Sequence, residues 1–302
     1  MASSTLTVAA IALALCRPQF GLSAPSDCPK CAEWSKSQSP FRIYGNTYYV
    51  GTRALSAILI ASAAGHVLID GTVDETAAQV AANVRALGFR VEDIRLILNS
   101  HVHFDHAGGI SQLQHWSGAQ VAASGPSARV LLTGRSGADD PLYGEVREMT
   151  AIPSVQVIED RQIPRVGELR MTAHLTPGHT PGGTSWSWSS CEGNRCLHLV
   201  YADSLSPVSN KSFRFSRSPT YPNVLTDFAR SFSVIRGLPC DIQLTPHPEF
   251  SDVLGRLQRR ESVDDSAAFV DPSACRHYVA TAEATLNHRL AEETASALAT
   301  PK

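Results

Sequence analysis

Residues 99–109, NSHVHFDHAGG, place three histidines and one carboxylate within six positions, directly after the apolar run IRLIL at 94–98. Imidazole nitrogen and carboxylate oxygen are borderline ligands that suit Zn²⁺. In extended chain His101 and His103 point to one face and Val102 to the other. Asp105 and His106 follow on a turn that can fold back to the same point. Buried imidazoles and carboxylates are costly without partners, so four such groups side by side point to metal. Two short-range pairs, His101/His103 and Asp105/His106, are enough to begin two adjacent metal sites.

The chain has 302 residues, of which 43% are hydrophobic and 18% charged, an ordinary globular balance. A net charge of −2 argues against nucleic acid as an obligate partner, because phosphate binding needs a concentrated basic surface. The N-terminal stretch from Leu6 to Leu15 is apolar and uncharged, with the length of a signal-peptide core rather than an anchor. Leu22, Ser23 and Ala24 supply small residues for cleavage, so residues 1–24 read as a leader and the chain as exported to the periplasm. Leu15 is too bulky for lipoprotein processing at Cys16, which leaves with the leader. The remaining cysteines are Cys28, Cys31, Cys191, Cys196, Cys240 and Cys275, an even number that suggests disulfides in an exported chain. Cys191 and Cys196 flank a Gly-Asn hairpin tip that a local bridge would close. Cys240 and Cys275 flank a long connection whose closure would remove much loop entropy. Cys28 and Cys31 suit a short bridge, a redox pair or a metal pair, with the bridge favoured.

Along the chain, residues 43–49, 57–61 and 66–70 read as short strands. Thr72 and Glu75 have the spacing of a capping box, opening a helix whose apolar stripe holds Val80, Val84 and Leu87 and which Gly88 stops. The strand 94–98, the histidine loop, a short helix near 110–116 and a strand at 120–123 follow. Residues 133–153 form a long loop, a length that is usually functional. The second half repeats the strand-rich pattern at 155–158, 168–175, 184–189 and 197–202. A helix from about 225 to 237, a strand at 241–244 and a final helix over 273–298 complete it. Two strand-rich halves of similar length, with no composition break between them, predict one domain over residues 25–302. Its two sheets pack together with helices outside, an α/β layered architecture.

Two more histidines sit in turns just after predicted strands. His179 lies in TPGHTPGG, residues 176–183, and His247 in TPHP, residues 245–248. A histidine between prolines has little backbone freedom to lose, so ordering it as a ligand costs less. His66, His115, His174, His198, His277 and His288 have no comparable setting and read as structural or exposed.

The order HxHxDH, PGHTPG, Ala-Asp-Ser-Leu and a late TPHP resembles the metallo-β-lactamase superfamily, in detail most like its subclass B3. The resemblance is carried by residues 44–51, 101–109, 177–186, 201–206 and 244–248, and runs from about Cys28 to the last helix. It implies a four-layer αββα sandwich, with two mixed sheets and helices on the outer faces. It implies two Zn²⁺ per chain, the first on His101, His103 and His179, the second on Asp105, His106 and His247. In that family a hydroxide between the metals attacks the β-lactam amide of penicillins, cephalosporins and carbapenems, which gives antibiotic resistance. Asp105 both ligates and orients the hydroxide, and Ser204 and Ser206 match positions that bind the substrate carboxylate. The expected partner is a small-molecule β-lactam, with a monomer free of the membrane after processing. Trp34, Tyr44 and the 133–153 loop are candidate walls of the cleft.

Two departures stand out. Some relatives carry a glutamine in the long loop where Leu142 stands here. Relatives that pair the N-terminal cysteine with one near Gly51 find Arg53 here, which leaves Cys31 as the partner of Cys28. Rival readings are a thioesterase of the glyoxalase II kind or a lactonase, and a periplasmic zinc-binding protein. In the former, an aspartate at the position of Asp203 bridges the metals; Asp203 is left outside the ligand set here. Against the latter, three protein ligands per ion leave positions open for chemistry.

Overall fold

The computed structural model describes residues 1, 28–263 and 267–299. The expected leader, Met1 apart, lies outside the described residues, as does Cys16. Seven strands form the first sheet in sequential order: β1 Phe41–Tyr44, β2 Thr47–Tyr49, β3 Ile58–Ile60, β4 His66–Ile69, β5 Ile94–Leu98, β6 Gln120–Ser124 and β7 Gln156–Ile158. Pairing is antiparallel from β1 to β4 and parallel from β4 to β7. A two-stranded ribbon, β8 Arg165–Val166 with β9 Leu169–Arg170, leads into the second sheet. That sheet orders β10 Thr172–Leu175, β11 Thr184–Glu192, β12 Arg195–Tyr201 and β13 Ile242–Leu244, with only its last pair parallel.

Strand alternation builds the layers. In β3, β4 and β5 the side chains of Ile58, Ile60, Val67, Ile69, Leu96 and Leu98 face the second sheet, where they meet Trp186, Leu199, Tyr201 and Leu244. Their neighbours Leu59, Leu68 and Ile97 face outward and are covered by helices carrying Val80, Val84 and Leu113. Those helices are α2 Ala77–Ala86 and α4 Ile110–Ser117, which follow α1 Cys31–Trp34 and α3 Phe104–Ala107, with α5 Gly125–Thr133 beyond. On the other outer face Val200 and Ala202 pack under Phe228, Phe232, Ile235 and Val279. These come from α6 Val224–Gly237 and α8 Ala274–Ala299, with α7 Val253–Val263 between them. Strands buried on both faces explain the near-continuous apolar runs at 58–60, 67–69 and 96–98. The expected αββα sandwich is what forms.

Local expectations needed correction at four places. The strand expected over 43–49 is a hairpin, because Gly45 takes a left-handed φ of 53° and Tyr44 pairs with Thr47. Thr72 is no helix cap: its φ is +60°, and its hydroxyl donates to the Gly71 carbonyl beside Thr76 Oγ1. Glu75 pairs with Arg147 instead. The strand expected over 168–175 breaks at Met171 into β9 and β10. Helix α5 went unread, although Ser124 accepts the Ser127 N–H as its cap, Pro126 sits in its first turn and Gly134 ends it at φ 73°.

Disulfides join Cys28 to Cys31, Cys191 to Cys196 across paired positions of β11 and β12, and Cys240, just before β13, to Cys275 in α8. Among the described residues no helix is long and apolar enough to cross a membrane. The Cys240–Cys275 bridge spans 35 residues. Chain-entropy arguments give about 4 kcal/mol for a loop of that size. Replacing both cysteines with serine is expected to lower unfolding stability by about that amount in urea titrations.

Candidate metal centre

Each sheet contains a parallel strand pair that leads to the site, β4 with β5 and β12 with β13, in register at Ile69/Leu98 and Tyr201/Leu244. Side chains carried on the loops after parallel strands gather at their carboxyl ends. From β5 emerge His101, His103, Asp105 and His106, the last two on α3. The β10–β11 turn brings His179, and the loop after β13 brings His247. Gly178 permits that turn: its φ is +139°, and a Cβ there would lie 2.8 Å from the Phe228 ring.

A buried polar frame holds these loops in place. Asp70, fully buried after β4 with φ 61°, accepts from the Ser100 N–H at 2.8 Å, the Ser100 hydroxyl at 2.6 Å and the Tyr201 hydroxyl at 2.8 Å. Trp186 Nε1 donates to the Asn99 carbonyl at 3.1 Å, and the Thr184 N–H donates to the Ser100 carbonyl at 2.8 Å. The histidine loop of one sheet is thereby bonded directly to β11 of the other, and through Asp70 it is linked to Tyr201 of β12. Burial pushes the Asp70 carboxyl up to about 7, with the Ser100 and Tyr201 hydrogen bonds opposing it.

Two groups of ligand atoms result: His101, His103 and His179, and Asp105, His106 and His247, with the atoms of each group within 4.8 Å of one another. All are buried except His247, which is partly so. Four of the five imidazoles have their outer nitrogen tied to an acceptor. His101 Nδ1 donates to Asp203 Oδ1 at 2.7 Å, and His103 Nε2 to Asp140 Oδ1 at 3.3 Å. His179 Nδ1 donates to the Ser206 carbonyl at 2.7 Å, and His247 Nδ1 to the Ala54 carbonyl at 3.3 Å. Each such bond turns the other ring nitrogen, with its lone pair, toward the centre.

The inward atoms are those of a cation site. His101 Nε2 is buried without a partner. His103 Nδ1 and His179 Nε2 face each other at 3.2 Å, as do the Nε2 atoms of His106 and His247 at 3.3 Å. Lone pairs directed at each other in a dry pocket need a shared positive charge between them. Asp105 Oδ2 lies 3.2 Å from His106 Nε2 and 3.3 Å from His247 Nε2. Burial opposes ionisation of Asp105, yet those two imidazoles hold its carboxyl well below the usual range. Burial, reinforced by neighbouring imidazoles, keeps His101 and His179 neutral, their pKa values far below the ordinary one. Burial also disfavours charge on His103, but the Asp140 carboxylate outweighs it and raises its pKa. Neutral histidine and ionised carboxylate are the ligand-competent forms; His101, His179 and Asp105 are held in them, and with the unpartnered His101 Nε2 the donor set fits divalent metal.

Asp203 is fully buried behind His101 and belongs to neither group; burial pushes its carboxyl up to about 7. Ser204 is buried and Ser206 half-buried, both brought beside the histidines by the His179–Ser206 bond. Trp34 reaches the second group, with ring centroids 6.2 Å from His247 and 5.6 Å from Phe104. Tyr44 does not: its hydroxyl donates to the Arg195 carbonyl at the far hairpin end of β12, so it is no wall of the cleft. His174 donates to or accepts from Ser187 Oγ within the sheet, away from the ligands. Sequence reasoning passed over Asp70 and Asp140. An acid followed by glycine at the end of an apolar strand was a usable signal for Asp70. Nothing distinguished Asp140 from other acids of a polar loop.

Residues 50–192 match the family profile of the metallo-β-lactamase superfamily. The Rm3 metallo-β-lactamase superposes with a TM-score of 0.87 at 49% identity, covering 89% of this chain and 100% of that one. MEM-A1, a subclass B3 metallo-β-lactamase from a soil metagenome library, gives 0.85 at 48% identity over 87% of this chain and 99% of its own. The metallo-β-lactamase SMB-1 bound to 2-mercaptoethanesulfonate gives 0.83 at 44% identity over 86% and 99%. A curated hydroxyacylglutathione hydrolase of Maricaulis maris (strain MCS10) is 25% identical over 165 residues, 54% of this chain. That match spans about half of the relative's own length, 52%. The chain belongs to the metallo-β-lactamase superfamily, within subclass B3.

Removing Asp70 strands three buried donors at once. Each unsatisfied buried donor costs about 1–3 kcal/mol. Asp70→Ala is expected to lower unfolding stability by about 3 kcal/mol or more, measured by urea denaturation of the purified protein.

Proposed function

We propose that this protein is a zinc-dependent β-lactamase, a hydrolase that opens the β-lactam amide of penicillins, cephalosporins and carbapenems and so gives antibiotic resistance. The observation that carries the reading is the convergence of five imidazoles and one carboxylate, with four of the outer ring nitrogens tied and the inward nitrogens turned toward one another. Similarity at 49% identity over the whole length of Rm3 supports it.

In this reading His101, His103 and His179 would hold one Zn²⁺, and Asp105, His106 and His247 would hold a second. Bound zinc would supply an activated water at neutral pH and polarise the amide carbonyl. Asp105 would orient the attacking water. Water adds to the carbonyl carbon, the ring C–N bond breaks, and the released nitrogen takes up a proton. Ser204 and Ser206 bind the substrate carboxylate, Ser206 from the more accessible position. Trp34 closes one side of the cleft against Phe104 and His247. Residues 1–24 export the chain to the periplasm, and residues 25–302 act there as one domain and as a monomer.

The second reading is a thioesterase of the glyoxalase II kind, favoured by the match to the Maricaulis maris hydrolase. That chemistry calls for an aspartate bridging the metals, whereas Asp203 stands behind His101 through its Oδ1 and joins neither ligand group. A lactonase meets the same objection.

A purified sample assayed on a carbapenem, a cephalosporin and a thioester is expected to turn over the β-lactams, to stop with a chelator and to recover with Zn²⁺. Thioester turnover without β-lactam turnover overturns the substrate class. His247→Ala removes one of the three ligands of the second group alone. Its zinc content by metal analysis is expected to fall from about two ions to about one; two tightly held ions refute the assignment.

A further inference from the structure

The 133–153 loop is long and mostly exposed, yet one of its acids is buried against the metal centre. Asp140 is 3% exposed, and its Oδ1 accepts both from His103 Nε2 at 3.3 Å and from the Leu142 N–H at 2.8 Å. Its Oδ2 is buried without a partner. The second bond closes a turn around Asp140, which fixes where the carboxylate stands. The loop is held down on both sides of this point. Arg147 donates to Asp74 at 3.0 Å and to Glu75, with its guanidinium 5.7 Å from the Phe104 ring centroid, next in sequence to His103. Asn210, four residues beyond Ser206, donates its N–H to the Pro141 carbonyl and its amide to the Tyr143 carbonyl, both at 2.9 Å.

From this geometry we infer that Asp140 is a positioning residue for the first metal, and that its carboxylate governs how tightly the centre retains zinc. The inference rests on the metal-site reading above and deepens it. His103 is the one ligand of its group whose outer nitrogen is held by this loop; His101 and His179 are held from the 203–206 segment. The ring of His103 turns freely about its side-chain bonds unless that bond fixes it. Asp140 selects the tautomer with the proton on Nε2 and leaves the Nδ1 lone pair facing His179 Nε2. Carboxylate partners of this kind sustain metal affinity by about 10–100-fold.

The test measures zinc affinity by competition with a chromophoric chelator, without substrate, on the wild-type protein and four variants. Asp140→Ala is expected to weaken zinc binding at the His101, His103 and His179 group by about 10–100-fold. Asp140→Ser keeps an acceptor for the Leu142 N–H but is too short to reach His103, so it is expected to lose affinity equally, even if the alanine variant fails to fold. Asp140→Asn, whose amide oxygen still accepts from Nε2, is expected to recover most of it. Arg147→Ala loosens the loop without touching a ligand, and is expected to change affinity by less than about threefold. Unchanged zinc affinity in the serine variant, or equal loss in Arg147→Ala, overturns the proposal and reduces Asp140 to a loop staple. Because no substrate enters the measurement, failure of the β-lactam reading leaves it standing, while a wild-type protein that binds no zinc refutes the metal reading itself.

Discussion

Imidazole nitrogens whose lone pairs point at one another inside a dry pocket are the constraint on which this structure turns. With their outer nitrogens carrying the protons, His103 Nδ1 and His179 Nε2 face each other as bare lone pairs; His106 Nε2 and His247 Nε2 face each other at 3.3 Å, and His101 Nε2 has no partner at all. Such a cluster costs folding energy unless cations fill it. The fold accepts that cost at a single edge and surrounds it with a well-bonded frame. Asp70, Ser100, Tyr201, Trp186 and Asn99 satisfy one another across the two sheets and keep the ligands from relaxing away.

The sandwich is suited to this task because its two sheets meet with their parallel pairs at the same edge. Parallel neighbours β4 and β5 send their following loops in one direction, and β12 and β13 do the same from the other sheet. Ligands far apart in the chain arrive together, each on a loop only a few residues beyond a strand. Short reach from a rigid base limits how far a ligand can wander, which is the condition for metal geometry held in advance of substrate. The outer-nitrogen acceptors then fix ring orientation, and they come from three sources: a strand-end acid, backbone carbonyls and the long loop.

That division separates rigid from adaptable parts of the centre. Asp203, the Ser206 carbonyl and the Ala54 carbonyl belong to segments packed in the sandwich edge. Asp140 belongs to a loop pinned by polar contacts on the surface, through Arg147 and Asn210. Surface ion pairs hold less firmly than buried apolar packing, so the loop is the part of the frame with most freedom to move.

The ligands were legible in the chain because their chemistry is unusual for the places they occupy. HxHxDH after an apolar strand, and histidines locked between prolines after two others, carry their meaning locally. The layered architecture was legible for a similar reason: apolar runs of three to five residues between turns specify strands buried on both faces. The hairpin at Gly45, the failed cap at Thr72 and the partners Asp70, Asp140 and Asp203 were not. Each depends on which distant segment lies alongside, and an aspartate reads the same whether it meets water or an imidazole a hundred residues away. Composition and spacing determined which groups would seek metal; only the packing of two sheets decided which nitrogen of each ring would face it.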